Sequence, residues 1–249
     1  MNLRGRCVVL VVLASVVILL PPLLCSTYRF SSYVLSQHTP LYLPPNIFIL
    51  RNSIRVELVT MFRTMHMGLT RANLIYFLTA GSLLGWKRHH KSMIPWDDDI
   101  DVGVIFPVQP NAWRVFKTYV ESYGFTIVAF RGWYKLISTR IPLCDRLAIS
   151  IDIFPYSRFK QSNRLSQTSR IARRLWPREN FEIGNVFPLK KTMFEGAPTF
   201  VPNSPHKVLV QSYGHDYIKV AFVNKIHGPL PYAIVHTNAF QTFPCKLTL

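Results

Sequence analysis

"IPWDDDIDVGVIF", Ile94–Phe106, sets Asp97, Asp98, Asp99 and Asp101 within five consecutive positions of a chain whose Lys and Arg outnumber its Asp and Glu 29 to 12. The stretch begins as a loop and turns into a strand, because Ile100, Val102 and Val104 alternate with Asp99, Asp101 and Gly103. Strand side chains at i and i+2 share a face, so Asp99 and Asp101 point the same way from Cα atoms about 7 Å apart. Two carboxylates that close need a divalent cation or a basic neighbour, since their repulsion otherwise raises a pKa or disorders the turn. Asp97 and Asp98 precede the strand, and the turn after Pro95 and Trp96 gives them a capping role at least as well founded as ligation.

Working outward, "LAISIDIFPY" (Leu147–Tyr156) places Asp152 inside an otherwise apolar run. A charge there is costly without a partner or a metal, which makes Asp152 the candidate third carboxylate. The alternative is an Asp at a strand end held by backbone amides. Between the acids lie a helical stretch, Asn111–Tyr123, and two strand-like runs, "FTIVAF" and "WYKLIS". On the other side, "NLIYFLTAG" (Asn73–Gly81) reads as a buried strand ending at a Gly-Ser turn. "GSLLGWKRHH" then reads as a short helix with Ser82 placed to cap it and its first N–H groups free, an arrangement able to bind phosphate. Taken alone, such a Gly-Ser pair is most often only a turn. Ile47–Leu69 carries apolar residues at helical spacing and packs as an amphipathic helix. The pattern is α/β with a mixed sheet and flanking helices.

The N-terminus, "MNLRGRCVVLVVLASVVILLPPLLC", has Arg4 and Arg6 ahead of an uncharged apolar run long enough to span a bilayer. Its exit offers no small-residue cleavage site, so the expectation is an uncleaved signal anchor over residues 1–25; a cleaved signal peptide is the alternative. Residues 26–46 suit a stem, 47–220 the folded domain, and 221–249 an irregular tail. The positive flank places the domain in the lumen of the Golgi or ER as a single-pass type II protein. In that compartment a net charge of +17 points to phosphorylated or nucleotide-linked anions rather than nucleic acid, or simply to a solvated basic face. Cys144 and Cys245 form one disulfide or remain two buried thiols. No zinc spacing is present.

The run "AGSLLGWKRHHKSMIPWDDDIDVGV", continued by "IDIFPY" and "VFPLKKTMFEGAPTFVPNSPHKVLVQSYG", resembles the LicD/fukutin family of phosphotransferases over about Phe48–Gly214. The resemblance implies a nucleotidyltransferase-like fold. Gly81 and Ser82 match the turn that holds donor phosphates, Asp99 and Asp101 the metal pair, and Asp152 the third acid. Arg88 and His89 match the family's Arg-His near those phosphates. It also implies Mg²⁺ or Mn²⁺, a CDP-linked donor carrying phosphocholine or an alditol phosphate, and a glycan, glycoprotein or glycolipid acceptor. His90–Met93 form a connector slightly longer than the family's and without its Gly, and Trp86 and Lys87 replace smaller or apolar residues; these bear on substrate fit.

Three further readings stay open. A catalytically silent relative that binds a glycan or partner enzyme is the alternative to an enzyme, although three carboxylates kept in apolar strands favour chemistry. Of His89 and His90, at most one faces the site. The basic segment Ser157–Arg178 is either a lid over an anionic acceptor or a solvated face.

Overall fold

The computed structural model describes residues 33–35, 48–158, 162–223 and 233–236. The anchor expected over residues 1–25 lies outside them, as do most of residues 26–46; among the described residues no helix is long and apolar enough to cross a membrane. Within 26–46, β1 (Tyr33–Leu35) pairs antiparallel with β2 (Phe48–Leu50). The helix expected from Ile47 therefore begins later, as α1 (Asn52–Arg71).

The main sheet is built as expected, from strands of both senses. β3 (Tyr76–Leu78), β4 (Ile100–Ile105), β7 (Ile151–Arg158), β6 (Trp133–Ser138) and β5 (Phe125–Phe130) lie side by side in that order, and β8 (Arg164–Gln167) and β9 (Asn180–Glu182) extend it from the far half of β7. Only β4 and β7 run parallel, with Asp101 opposite Asp152; β3, β5, β6, β8 and β9 join antiparallel. A parallel pair needs a crossover, and α3 (Pro110–Ser122) with the β5–β6 hairpin supplies it. Both central strands are buried on both faces, so their apolar residues are near-continuous.

Helix α1 buries Leu58, Met61, Phe62, Met65 and Leu69, the one stripe its 3.6-residue period allows. It packs on α3, where a Cβ on Gly68 would meet the Tyr119 and Phe116 rings at 2.9 and 3.0 Å. Phe62 also meets Phe194 edge-on, in the hairpin of β10 (Lys190–Phe194) and β11 (Ala197–Val201). Helix α2 (Ala80–Arg88) follows β3 directly. Within the basic segment lie β8 and α4 (Arg170–Leu175), and Arg173 donates to the carbonyls of Gln167 and Thr168. Past α5 (Ile183–Val186) and α6 (Pro205–Tyr213), a 3₁₀ turn (His215–Ile218) leads into β12 (Val220–Val223), which pairs with β13 (Ala233–His236) in the stretch expected to be irregular. Cys144 is disulfide-bonded.

Candidate active site

The loop after α2 delivers the acids to the start of β4. Asp99, Asp101 and Asp152 each present a carboxylate oxygen within 4.8 Å of the others, and all three side chains are buried. Parallel pairing of β4 and β7 causes the convergence, since it sets Asp101 directly beside Asp152. Asp97, Asp98 and Asp99 form a second, overlapping group of the same closeness. Burial, and then Asp101 and the other neighbouring acids, pushes Asp99 well above the usual carboxylate range. Burial followed by Asp152 does the same for Asp101, against an opposing pull from Lys135. This set is all oxygen and all carboxylate, the donor chemistry of a hard divalent cation such as Mg²⁺ or Mn²⁺. A cation among the three would replace the repulsion that now favours their protonated forms.

Helix α2 braces the pair from the side. Gly81 N–H donates to Asp101 Oδ2 at 2.9 Å, and the backbone N–H of Asp101 donates to Ser82 Oγ at 2.7 Å. Ser82 is therefore not the helix cap. The helix starts two residues earlier, after an extended Thr79 that makes no side-chain cap bond, and the hydroxyl instead ties α2 to β4. Gly81 brings the backbone close to the acids: a Cβ there would stand 2.8 Å from Asp97 Oδ2 and 3.2 Å from Asp101 Oδ2. Ala80, the first helical residue, has φ +42°, a left-handed backbone that a non-glycine residue adopts at a cost.

At the far end of α2, Arg88 and His89, two of the four residues expected to face donor phosphates, turn toward each other. Arg88 Nε donates to His89 Nε2 at 3.1 Å, and Nη1 donates to the Tyr217 carbonyl. Burial lowers Arg88 to about 10, with Tyr213 and Asp97 pulling the other way, so the guanidinium stands in the field of the acidic loop. His89 is buried and edge-on to Trp96, whereas His90 is exposed. Burial and then Arg88 depress His89 to about 3, which keeps it neutral.

The partners of Asp152 were not legible beforehand. Its carboxylate is bonded by side chains rather than by backbone amides: Lys135 Nζ and Ser150 Oγ donate to Oδ1, and Trp133 Nε1 donates to Oδ2. Burial raises Asp152, and Lys135 opposes it. Lys135 is the one charged residue of "WYKLIS" and shares a strand face with Trp133, a signal that becomes readable only once β6 is known to neighbour β7. A second unforeseen group lies on the same sheet. Glu179 is buried and accepts from Tyr156 Oη at 2.7 Å and Gln167 Nε2 at 2.6 Å.

Residues 73–204, just over half of the chain, match the family described as LicD/FKTN/FKRP, nucleotidyltransferase domain. The chain belongs to this family. Among curated proteins this LicD/FKTN/FKRP member is similar to an uncharacterized protein of Rickettsia prowazekii, 26% identical over 173 residues, covering 70% of this chain and 59% of that protein. Another relative, an uncharacterized protein of Rickettsia typhi, is 24% identical, covering 70% of this chain and 50% of its own length. The chain thus spans between half and three-fifths of these relatives. Two solved structures also superpose on this LicD/FKTN/FKRP domain. The crystal structure of ANT(2'')-Ia with adenylyl-2''-tobramycin does so at TM-score 0.37 and 13% identity, over 58% of this chain and 68% of that one. The solution structure of the antibiotic-resistance factor ANT(2'')-Ia does so at 0.37 and 11%, over 59% and 65%. Superpositions this loose assign no residue roles.

Proposed function

We propose that this LicD/FKTN/FKRP member is a metal-dependent phosphotransferase. It moves phosphocholine or an alditol phosphate from a CDP-linked donor to a glycan, on a glycoprotein or glycolipid, in the secretory pathway. The observation that carries the reading is the convergence of Asp99, Asp101 and Asp152 within 4.8 Å at the start of two parallel strands, in a chain of a transferase family.

Asp99, Asp101 and Asp152 hold the cation. When bound, the cation supplies charge neutralisation on the donor diphosphate and on the departing CMP. Gly81 N–H and Ser82 Oγ fix Asp101 for this task, and Arg88, the half-buried cation at the end of α2, is assigned with His89 to the donor phosphates. Asp152 takes the proton of the attacking sugar hydroxyl, the usual task of a carboxylate beside the reacting oxygen. The hydroxyl oxygen bonds to the donor's alcohol-bearing phosphorus as the bridging P–O bond to CMP breaks, and CMP leaves with that electron pair. Residues 1–25, with Arg4 and Arg6 ahead of the apolar run, are assigned to anchor the domain on the lumenal side of the Golgi or ER membrane.

Offering the protein CDP-choline, CDP-ribitol and CDP-glycerol with Mn²⁺ and a glycoprotein acceptor should release CMP from one of them, and Asp99→Asn or Asp101→Asn should abolish release with the fold retained. Turnover unchanged in either variant sinks the metal assignment; no CMP from any donor sinks the donor class.

A further inference from the structure

The reading above leaves a buried lysine at its centre without a task. Lys135 is 5% exposed. It stands opposite Asp152 across the β6–β7 ladder, and Asp152 stands opposite Asp101 across the β7–β4 ladder. Three neighbouring strands therefore carry lysine, aspartate, aspartate in one row, each step about 5 Å wide. The ammonium pairs with Asp152 Oδ1, donates to Ser150 Oγ at 3.1 Å, and lies 5.2 Å from the centre of the Phe130 ring. Burying an ammonium is costly, and structural economy alone would favour an apolar residue in a central strand. A buried cation on the strand beside a cation site also repels the ion that the site is there to bind.

That repulsion has a use. When ionised, the three carboxylates carry three negative charges, with Asp97 and Asp98 adding to the field around Asp99, and Lys135 is the buried cation that offsets one of them at Asp152. We propose that Lys135 is the residue that tunes the Asp99–Asp101–Asp152 site to a divalent ion, by offsetting one carboxylate charge while holding Asp152 against rotation between Lys135, Ser150 and Trp133. Lys135 is thus a positioning residue. It touches neither donor nor acceptor, and it acts through Asp152. Resting on the metal reading, this inference makes a separate claim: ionic charge preference is set by a residue that is not a ligand.

The test measures ion selectivity, not turnover. Mn²⁺ affinity is determined by calorimetric titration, and Tb³⁺ affinity by luminescence sensitised from Trp133 and Trp96, for the parent, Lys135→Met and Lys135→Arg. Removing one positive charge at this range should shift preference toward Tb³⁺ over Mn²⁺ by about tenfold to a hundredfold in Lys135→Met, while Lys135→Arg keeps the parent's ratio. CMP release should fall in Lys135→Met even at saturating Mn²⁺, because Asp152 is no longer held. If Lys135→Met fails to fold, Lys135→Gln, neutral and able to bond Ser150 and Asp152, replaces it with the same expected shift. A parent that binds Mn²⁺ and a neutral variant whose ratio matches it overturn this inference alone. A parent that binds neither ion overturns the metal reading and this inference with it.

Discussion

At the level of single residues, Gly81 shows how an amide and a missing side chain serve one site together. By helix propensity alone, Gly81→Ala would stabilise α2 by roughly 0.5–1 kcal/mol. Here the new Cβ meets Asp97 and Asp101 oxygens at 2.8 and 3.2 Å, so the expected outcome is the opposite sign. A lower melting temperature and at least about a tenfold loss of CMP release should follow, the loss from displacing Asp101. His89 gives a prediction in pH. Its pKa in the folded protein is depressed to about 3 from 6.5, so the unfolded chain takes up a proton that the folded one refuses. Stability from this group is complete above pH 6.5 and is lost as the pH falls below it, reaching a loss of about 2 kcal/mol by pH 5. Urea midpoints at pH 7.5 and pH 5 should therefore differ less for His89→Gln than for the parent; equal differences would show that His89 takes up its proton in the folded state. The acids were legible in the sequence because a charge in an apolar run is conspicuous. Lys135 was not, because its meaning depends on which strand lies beside it.

Among the elements, the connector from α2 to β4, His90–Met93, carries an uncommon backbone. His90 and Lys91 have φ of +54° and +67°, a left-handed pair where a glycine is at ease and an L side chain is not. Both side chains are exposed, and the Lys91 carbonyl accepts from Glu195 N–H at 3.0 Å, so the conformation is held from outside. Lys91→Gly should raise stability by about 1 kcal/mol, read as a higher urea midpoint, with the acidic site unaffected. The strands β4, β5, β6 and β7 and helix α3 followed from alternation and helical spacing. What escaped was the start of α2, because Thr79 and Ala80 adopt a conformation that no spacing signals, and the pairing of β1 with β2 and of β12 with β13, because three- and four-residue strands carry too little pattern to register.

For the molecule as a whole, family membership was readable from one long motif, whereas sheet order was not, since periodicity reports which residues form strands and says nothing of their neighbours. That order has a consequence in time. Asp101 and Asp152 sit side by side only after β7 has docked in parallel on β4, with α3, β5 and β6 already threaded between them. Contacts closed across so much chain tend to form late, and here the closing step also forces like charges together. A cation therefore lacks the Asp101–Asp152 pair in the transition state and gains it only in the finished sheet. Saturating Mn²⁺, at about a hundred times its Kd, should add about 2.7 kcal/mol of stability, nearly all of it as an unfolding rate about a hundredfold slower, with refolding unchanged in stopped-flow. Equal acceleration of refolding would instead place β4 and β7 in the folding nucleus. The ion would then govern lifetime more than assembly: newly made chains reach the native sheet at the same pace in metal-poor and metal-rich surroundings, but only in the latter do they long outlast the proteases around them.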